Sequence, residues 1–149
     1  MLQYGQWAEE ANKLKRQIRL GSCLCGQVKF KTEGNLASFY LCHCKYCQKD
    51  TGSAHAANIF VPDGSLIWIS GEEKVKTFNF PSTRHIKSFC TECGSALPNL
   101  QMEGKLLVIP AGSLDSILAA KPDAHIFFSS KATWDSELEN IKKFEKIPI

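Results

Sequence analysis

Apolar side chains near the start of the chain fall at Trp7, Ala11, Leu14 and Ile18, spaced i, i+4, i+7 and i+11. That stripe predicts one face of an amphipathic helix. Glu9, Glu10, Lys13, Lys15 and Arg16 occupy the other faces. Their mixed signs favour a helix packed on the domain, or on a second copy of the chain, over one lying on a membrane. From Gly21 the period changes. Val28-Lys29-Phe30-Lys31 and Val75-Lys76-Thr77-Phe78-Asn79-Phe80 alternate, as half-buried strands do. Ser65 to Ser70 and Leu106 to Ile109 are short apolar runs, with Pro62-Asp63-Gly64, Ser70-Gly71 and Glu103-Gly104 as turns. Ala124 to Ser129 reads as a late buried strand. Short helices are expected from a cap at Asp115 through Ala119, and over Trp134 to Phe144. Many short strands with frequent turns predict a mainly β fold, an antiparallel sandwich or distorted barrel, with an N-terminal helix. The expected organisation is a helical extension over 1–20 followed by one β domain over 21–149.

A chain of 149 residues with 44% hydrophobic residues is long enough for one domain with a real core. No stretch approaches the roughly 20 apolar residues of a membrane span. The first 20 residues lack an apolar signal core, so a cytoplasmic protein is expected. That compartment is reducing, and seven is an odd number of cysteines, so metal binding is favoured over disulfides. The formal charge of +3 treats those cysteines as neutral. As thiolates on two zinc ions they would bring the chain close to neutrality. The lysines and arginines form no basic stripe, so neither a zinc-ribbon nucleic-acid binder nor any other nucleic-acid partner is expected.

The cysteines fall in three clusters: Cys23-Leu24-Cys25, Cys42-His43-Cys44-Lys45-Tyr46-Cys47, and Cys90-Thr91-Glu92-Cys93. The two outer pairs make a four-sulfur set, the donor set of a closed structural zinc. About 65 residues separate them, so this metal would tie two distant hairpins together. Gly26 and Gly94 follow the pairs and allow tight turns that aim backbone N–H groups at the sulfurs. The central cluster offers three sulfurs. In an extended run Cys42 and Cys44 share a face and His43 points away. Two alternatives stay open there. One is a second structural site closed by His43, His55, His85 or His125. The other is a zinc whose fourth position takes water or an incoming thiol. A thiol on zinc is a thiolate at neutral pH and can attack an aldehyde; the metal can also polarise a carbonyl. The following Gln48-Lys49-Asp50-Thr51-Gly52-Ser53-Ala54 is polar and turn-like, either a ligand-holding loop or an ordinary solvated one.

Several motifs in order resemble one known family. They are Gly21-Ser22-Cys23-Leu24-Cys25-Gly26, Cys42-His43-Cys44-Lys45-Tyr46-Cys47-Gln48-Lys49, Thr51-Gly52-Ser53-Ala54, and Phe89-Cys90-Thr91-Glu92-Cys93-Gly94-Ser95. Ala111-Gly112-Ser113-Leu114-Asp115, His125-Ile126-Phe127, Lys131-Ala132 and Trp134 extend the match. Together they resemble the glutathione-dependent formaldehyde-activating enzyme family, which also contains centromere protein V. The resemblance implies a β-rich zinc fold similar to methionine sulfoxide reductase B. It implies two zinc ions per chain, a structural one on Cys23, Cys25, Cys90 and Cys93 and a catalytic one on Cys42, Cys44 and Cys47. It also implies a carbon–sulfur lyase that adds glutathione to formaldehyde, giving S-(hydroxymethyl)glutathione, or reverses that step.

Two readings of function follow. In the first, the chain is a zinc-dependent enzyme acting on a small thiol and a small aldehyde. Gln48 and Lys49 are then candidate thiol contacts, and His43, His55, Lys49 and Arg84 candidate proton or anion handlers. In the second, it is a noncatalytic module with two structural zinc sites that binds a partner, or a second copy of itself, through the N-terminal helix. Gly112, Asp115 and His125 have structural readings of their own: a turn, a helix cap and a buried hydrogen bond.

Overall fold

The computed structural model describes residues 17–149. Trp7, Ala11 and Leu14, the core of the expected N-terminal helix, lie outside the described residues. Ile18 and Leu20, assigned to that helix, instead stand on the first strand, where alternation buries Arg19 and turns both apolar neighbours outward. The fold is mainly β. Its strands are β1 (Ile18–Ser22), β2 (Lys29–Glu33), β3 (Ser38–Cys42), β4 (Ala56–Pro62), β5 (Ser65–Ser70), β6 (Val75–Asn79), β7 (Ile86–Cys90), β8 (Ala96–Leu97), β9 (Asn99–Gln101), β10 (Leu106–Pro110) and β11 (Ala124–Ile126). One α-helix, α1 (Lys45–Thr51), stands among the described residues. None of these is a helix long and apolar enough to cross a membrane.

The strands form three sheets, ordered β1-β2-β5, β11-β3-β4-β10-β9 and β6-β7-β8, and no sheet closes into a barrel. All pairings between strands are antiparallel except β11 with β3, which is parallel. The expected strands at 65–70, 75–80 and 106–109 are present as β5, β6 and β10. The last expected strand is only three residues long and is not buried.

The five-stranded sheet has two different faces, and its register sets which residues share each. Phe39, Ile59, Val61, Leu107 and Ile109 lie on one face and form a buried cluster. The other face follows from the alternation. Cys42 pairs with Ala56, Tyr40 with Asn58 and Ser38 with Phe60. Phe60 pairs with Val108, Asn58 with Pro110, Val108 with Asn99 and Leu106 with Gln101. A second cluster, Cys23, Val28, Phe30, Cys90 and Leu97, joins the first sheet to the third. Phe30 packs edge-on against Trp68 with ring centroids 6.1 Å apart.

Two expected helices are absent. Asp115 caps nothing: its backbone N–H donates to Leu20 O (2.8 Å) and its carboxylate accepts from Ser22 Oγ (2.7 Å). The polar groups that would start a helix are spent on β1 instead. Between Trp134 and Phe144 only a single 3-10 turn forms, Leu138–Asn140. Gly112 does lie in a turn, the 3-10 segment Ala111–Ser113.

Candidate functional site

The four outer cysteines come together as two turn loops meeting face to face. Cys23 and Cys25 follow β1; Cys90 ends β7 and Cys93 lies in the turn before β8. All four sulfurs stand within 4.8 Å of one another. For zinc–sulfur bonds of about 2.3 Å, the corners of a tetrahedron lie about 3.8 Å apart. The Cys23–Cys25 and Cys25–Cys90 sulfur separations of 3.4 and 3.9 Å bracket that value. Gly26 and Gly94 hold φ angles of 78° and 74°, the left-handed conformation that glycine tolerates best. Their N–H groups donate to Cys23 O and Cys90 O, and Val28 N–H donates to Cys23 Sγ (3.3 Å). A hydrogen bond with the Ser95 hydroxyl (3.1 Å) helps hold the Cys93 thiol down at about 5. The donor set and its amide contacts suit a closed tetrathiolate zinc.

The three central cysteines gather separately, again with all sulfurs within 4.8 Å. Cys42 ends β3, and Cys44 is the N-cap of α1. Its sulfur accepts the Cys47 N–H at 3.3 Å. The helix stops after two turns at Gly52, whose φ of 64° lets its N–H close on Gln48 O (2.9 Å). A seven-residue helix thus brings Cys47 back beside Cys42 and Cys44. Burial pushes the Cys42 and Cys47 thiols above their usual value, and the neighbouring sulfurs push Cys47 further. Buried thiols crowded in this way ionise readily only beside a cation. The set therefore suits a metal as well.

None of the four histidines joins the three sulfurs within that 4.8 Å set. His43, as alternation predicts, turns to the other side and is 1% exposed. Its Nε2 is 2.8 Å from His125 Nδ1, and its ring packs on His55, His125 and Phe128. Its Nδ1 stands 3.3 Å from Asp135 Oδ2, out of line for a hydrogen bond. Burial, with His55 next to it, holds this imidazole below its usual value. His125, expected as a buried hydrogen-bonding group, is exposed as a residue but does make that bond to His43.

A cavity of about 490 Å³ opens beside the three sulfurs. Its floor is the second face of the five-stranded sheet: Cys42, Ala56, Asn58, Phe60, Val108, Pro110, Asn99 and Gln101. The opposite side is built by Arg84, His85, Lys87 and Ser88 on and before β7. Tyr46, Cys47, Asp50 and Thr51 of α1 close one end, and His55 lines the wall. Asp50 clamps α1 to β7: its carboxylate meets His85 Nε2 and lies 3.6 Å from Lys87 Nζ.

Gln48 and Lys49 do not line this cavity. Gln48 Nε2 donates to His43 O (2.7 Å) and Ser130 O (3.0 Å), tying α1 to the segment after β11. His55 and Arg84 do line it. Sequence reasoning passed over Lys87, Asn58, Asn99 and Gln101; it offered His85 only as a fourth metal ligand and Asp50 only within the polar loop after the cysteines. Ala56-Asn58-Phe60 and Val108-Pro110 alternate, and that was the available signal for a second, functional sheet face.

Residues 18–130 match the sequence model of the family described as glutathione-dependent formaldehyde-activating enzyme. No curated protein sequence gives a significant match. Among solved structures, the crystal structure of a Rhodobacter sphaeroides protein from a structural-genomics programme is similar. Its TM-score is 0.54 at 18% sequence identity, over 71% of this chain and 98% of that one. At that identity the likeness is one of fold.

Proposed function

The chain belongs to the glutathione-dependent formaldehyde-activating enzyme family, and we propose that it works as a carbon–sulfur lyase joining a glutathione-class thiol to formaldehyde, or releasing the aldehyde again. Cys23, Cys25, Cys90 and Cys93 would hold one zinc for the fold, and Cys42, Cys44 and Cys47 a second for the reaction. Bound there, zinc would keep a substrate thiol ionised at neutral pH. The observation that carries this reading is the gathered three-sulfur set, joined by no histidine and opening on a large cavity.

The balance of the reaction is simple. A sulfur–carbon bond forms, the carbonyl double bond becomes a single bond, and the thiol proton ends on the new hydroxyl. Cys42, Cys44 and Cys47 fix where the sulfur must sit. Ala56, Phe60 and Val108 give the cavity an apolar floor that limits water around the adduct. His55 lines the same wall and can pass the proton between thiol and alkoxide. His43, buried behind the three sulfurs, supports rather than touches the cavity.

NMR exchange spectroscopy on the zinc-loaded protein, with glutathione and formaldehyde at equilibrium, tests the reading. The expected result is faster exchange between free glutathione and its hydroxymethyl adduct than in a heat-denatured control. In Cys44→Ser the rate should return to background. Unaccelerated exchange in the native protein, or a Cys44→Ser protein that keeps its rate, would sink it.

A further inference from the structure

The aldehyde fills little of the cavity, so most of it is left for the thiol. Formaldehyde has two heavy atoms, whereas about 490 Å³ is the size of sites that hold drug-sized ligands. The charged groups around it are also unevenly employed. Among the described residues Asp50 is the only carboxylate in the lining, and it already faces His85 and Lys87, with Lys87 Nζ also donating to its backbone oxygen (3.3 Å). Arg84 lines the same cavity from the turn before β7. Its guanidinium has no hydrogen-bond or ion-pair partner among the described residues.

An exposed arginine is usually no more than a solvated charge. Two features here say more. Its position places five N–H donors in a fixed fork at the rim of a cavity whose only acid is already paired. On the sheet face, Asn58, Asn99 and Gln101 supply amides of the kind that hydrogen-bond peptide groups. Asn99 and Gln101 are held to each other by a Gln101 Nε2 donor to Asn99 Oδ1 (3.0 Å). Three thiolates around a divalent ion leave the metal end net negative. A carboxylate of the ligand would therefore be repelled there and drawn to Arg84.

We infer that Arg84 anchors a carboxylate of the thiol substrate, so that the site selects an acidic, peptide-like thiol over a neutral one. The inference rests on the thiol-adding reading above. Arg84 acts here as a specificity residue, and the amides of Asn58, Asn99 and Gln101 orient the peptide backbone of the ligand.

Two measurements on the zinc-loaded protein test it. The first is calorimetric titration with S-methylglutathione, which keeps both carboxylates but has no ionisable sulfur. The second is exchange kinetics with formaldehyde and either glutathione or β-mercaptoethanol. Losing a charge-assisted bidentate contact in R84Q should weaken S-methylglutathione binding and raise the KM for glutathione roughly 10- to 100-fold. The kcat, and the rates with β-mercaptoethanol, should not change, and R84K should recover part of the affinity. Equal losses on both thiols, or no loss on either, would overturn the assignment. So would wild-type protein that turns over glutathione without binding S-methylglutathione. Binding of S-methylglutathione through Arg84 with no turnover of any thiol would uphold the anchor and defeat the proposed reaction instead.

Discussion

Cys42 and Cys47 sit in poor surroundings for a thiolate. Both are less than a tenth exposed, they crowd Cys44, and Ala56 packs against them. Burial raises both thiols, so near neutral pH the metal-free chain holds them protonated. Metal capture must therefore displace at least two protons at this site. The sign follows directly: protons compete with the metal, so affinity rises as pH rises and falls as it drops. Between pH 6.5 and 7.5 the affinity of the three-sulfur site should climb by at least about 100-fold, roughly tenfold per displaced proton. Zinc titration against a competing chelator at several pH values measures that slope. A tenfold change or less would mean that one of the two thiols ionises without the metal. At this scale the sequence was readable where chemistry and alternation agreed. Cys42 and His43 are adjacent in an extended run, so they had to face opposite ways, and they do. Asn58 alternates with Ala56 and Phe60, but the face it shares with Asn99 and Gln101 was unreadable because it depends on the register of β4 against β10 and β9, distant from it in sequence.

Among the elements, β1 and β2 show how little room the site's scaffold leaves. Gly21 pairs with Phe30, and a Cβ added at Gly21 would stand 2.2 Å from Phe30 Cζ and 2.5 Å from Ser113 O. Phe30 is fully buried against Trp68, and Ser113 O is backbone, so neither can move aside cheaply. Gly21→Ala should cost about 3 kcal/mol, the upper end of the range for overpacking a core. Urea denaturation of the zinc-loaded protein would show it as a lower midpoint with an unchanged slope; a cost under about 1 kcal/mol would mean that the β1–β2 contact yields. Strands such as β5 and β6 were legible because two-residue alternation and bounding turns are local signals. The helix α1 was not. Seven residues are too few for an apolar stripe to repeat, and its N-cap is Cys44, a residue type more readily assigned to metal binding than to capping. The opposite error at Asp115 has a cause of its own. A cap residue in the sequence promises a helix only if its carboxylate is not recruited elsewhere, and Ser22 on β1 recruits it.

Across the whole molecule the two cysteine sets occupy different mechanical positions, so the proposed division between folding and chemistry can be tested. Cys23 and Cys90 belong to the cluster with Val28, Phe30 and Leu97 that joins the first sheet to the third, and Cys90 is fully buried. A metal there crosslinks chain segments about 65 residues apart. Removing it takes away a crosslink and leaves unpaired sulfurs in the core. Cys44 is half-buried and lies between β3 and α1, where its structural duty is to cap α1. Serine performs that duty as well as any residue, since its hydroxyl can accept the Cys47 N–H. Cys90→Ser should therefore lower the thermal midpoint by at least about 10 °C, at the roughly 2–4 °C per kcal/mol expected for a chain of this size. Cys44→Ser should move it by no more than about 3 °C. Calorimetric melting with metal analysis of the purified proteins reads both effects at once. The Cys44→Ser protein should retain one zinc per chain and melt like the native protein. A large loss of stability in Cys44→Ser would make the three-sulfur set a second structural site, and the cavity beside it would lose its claim to chemistry.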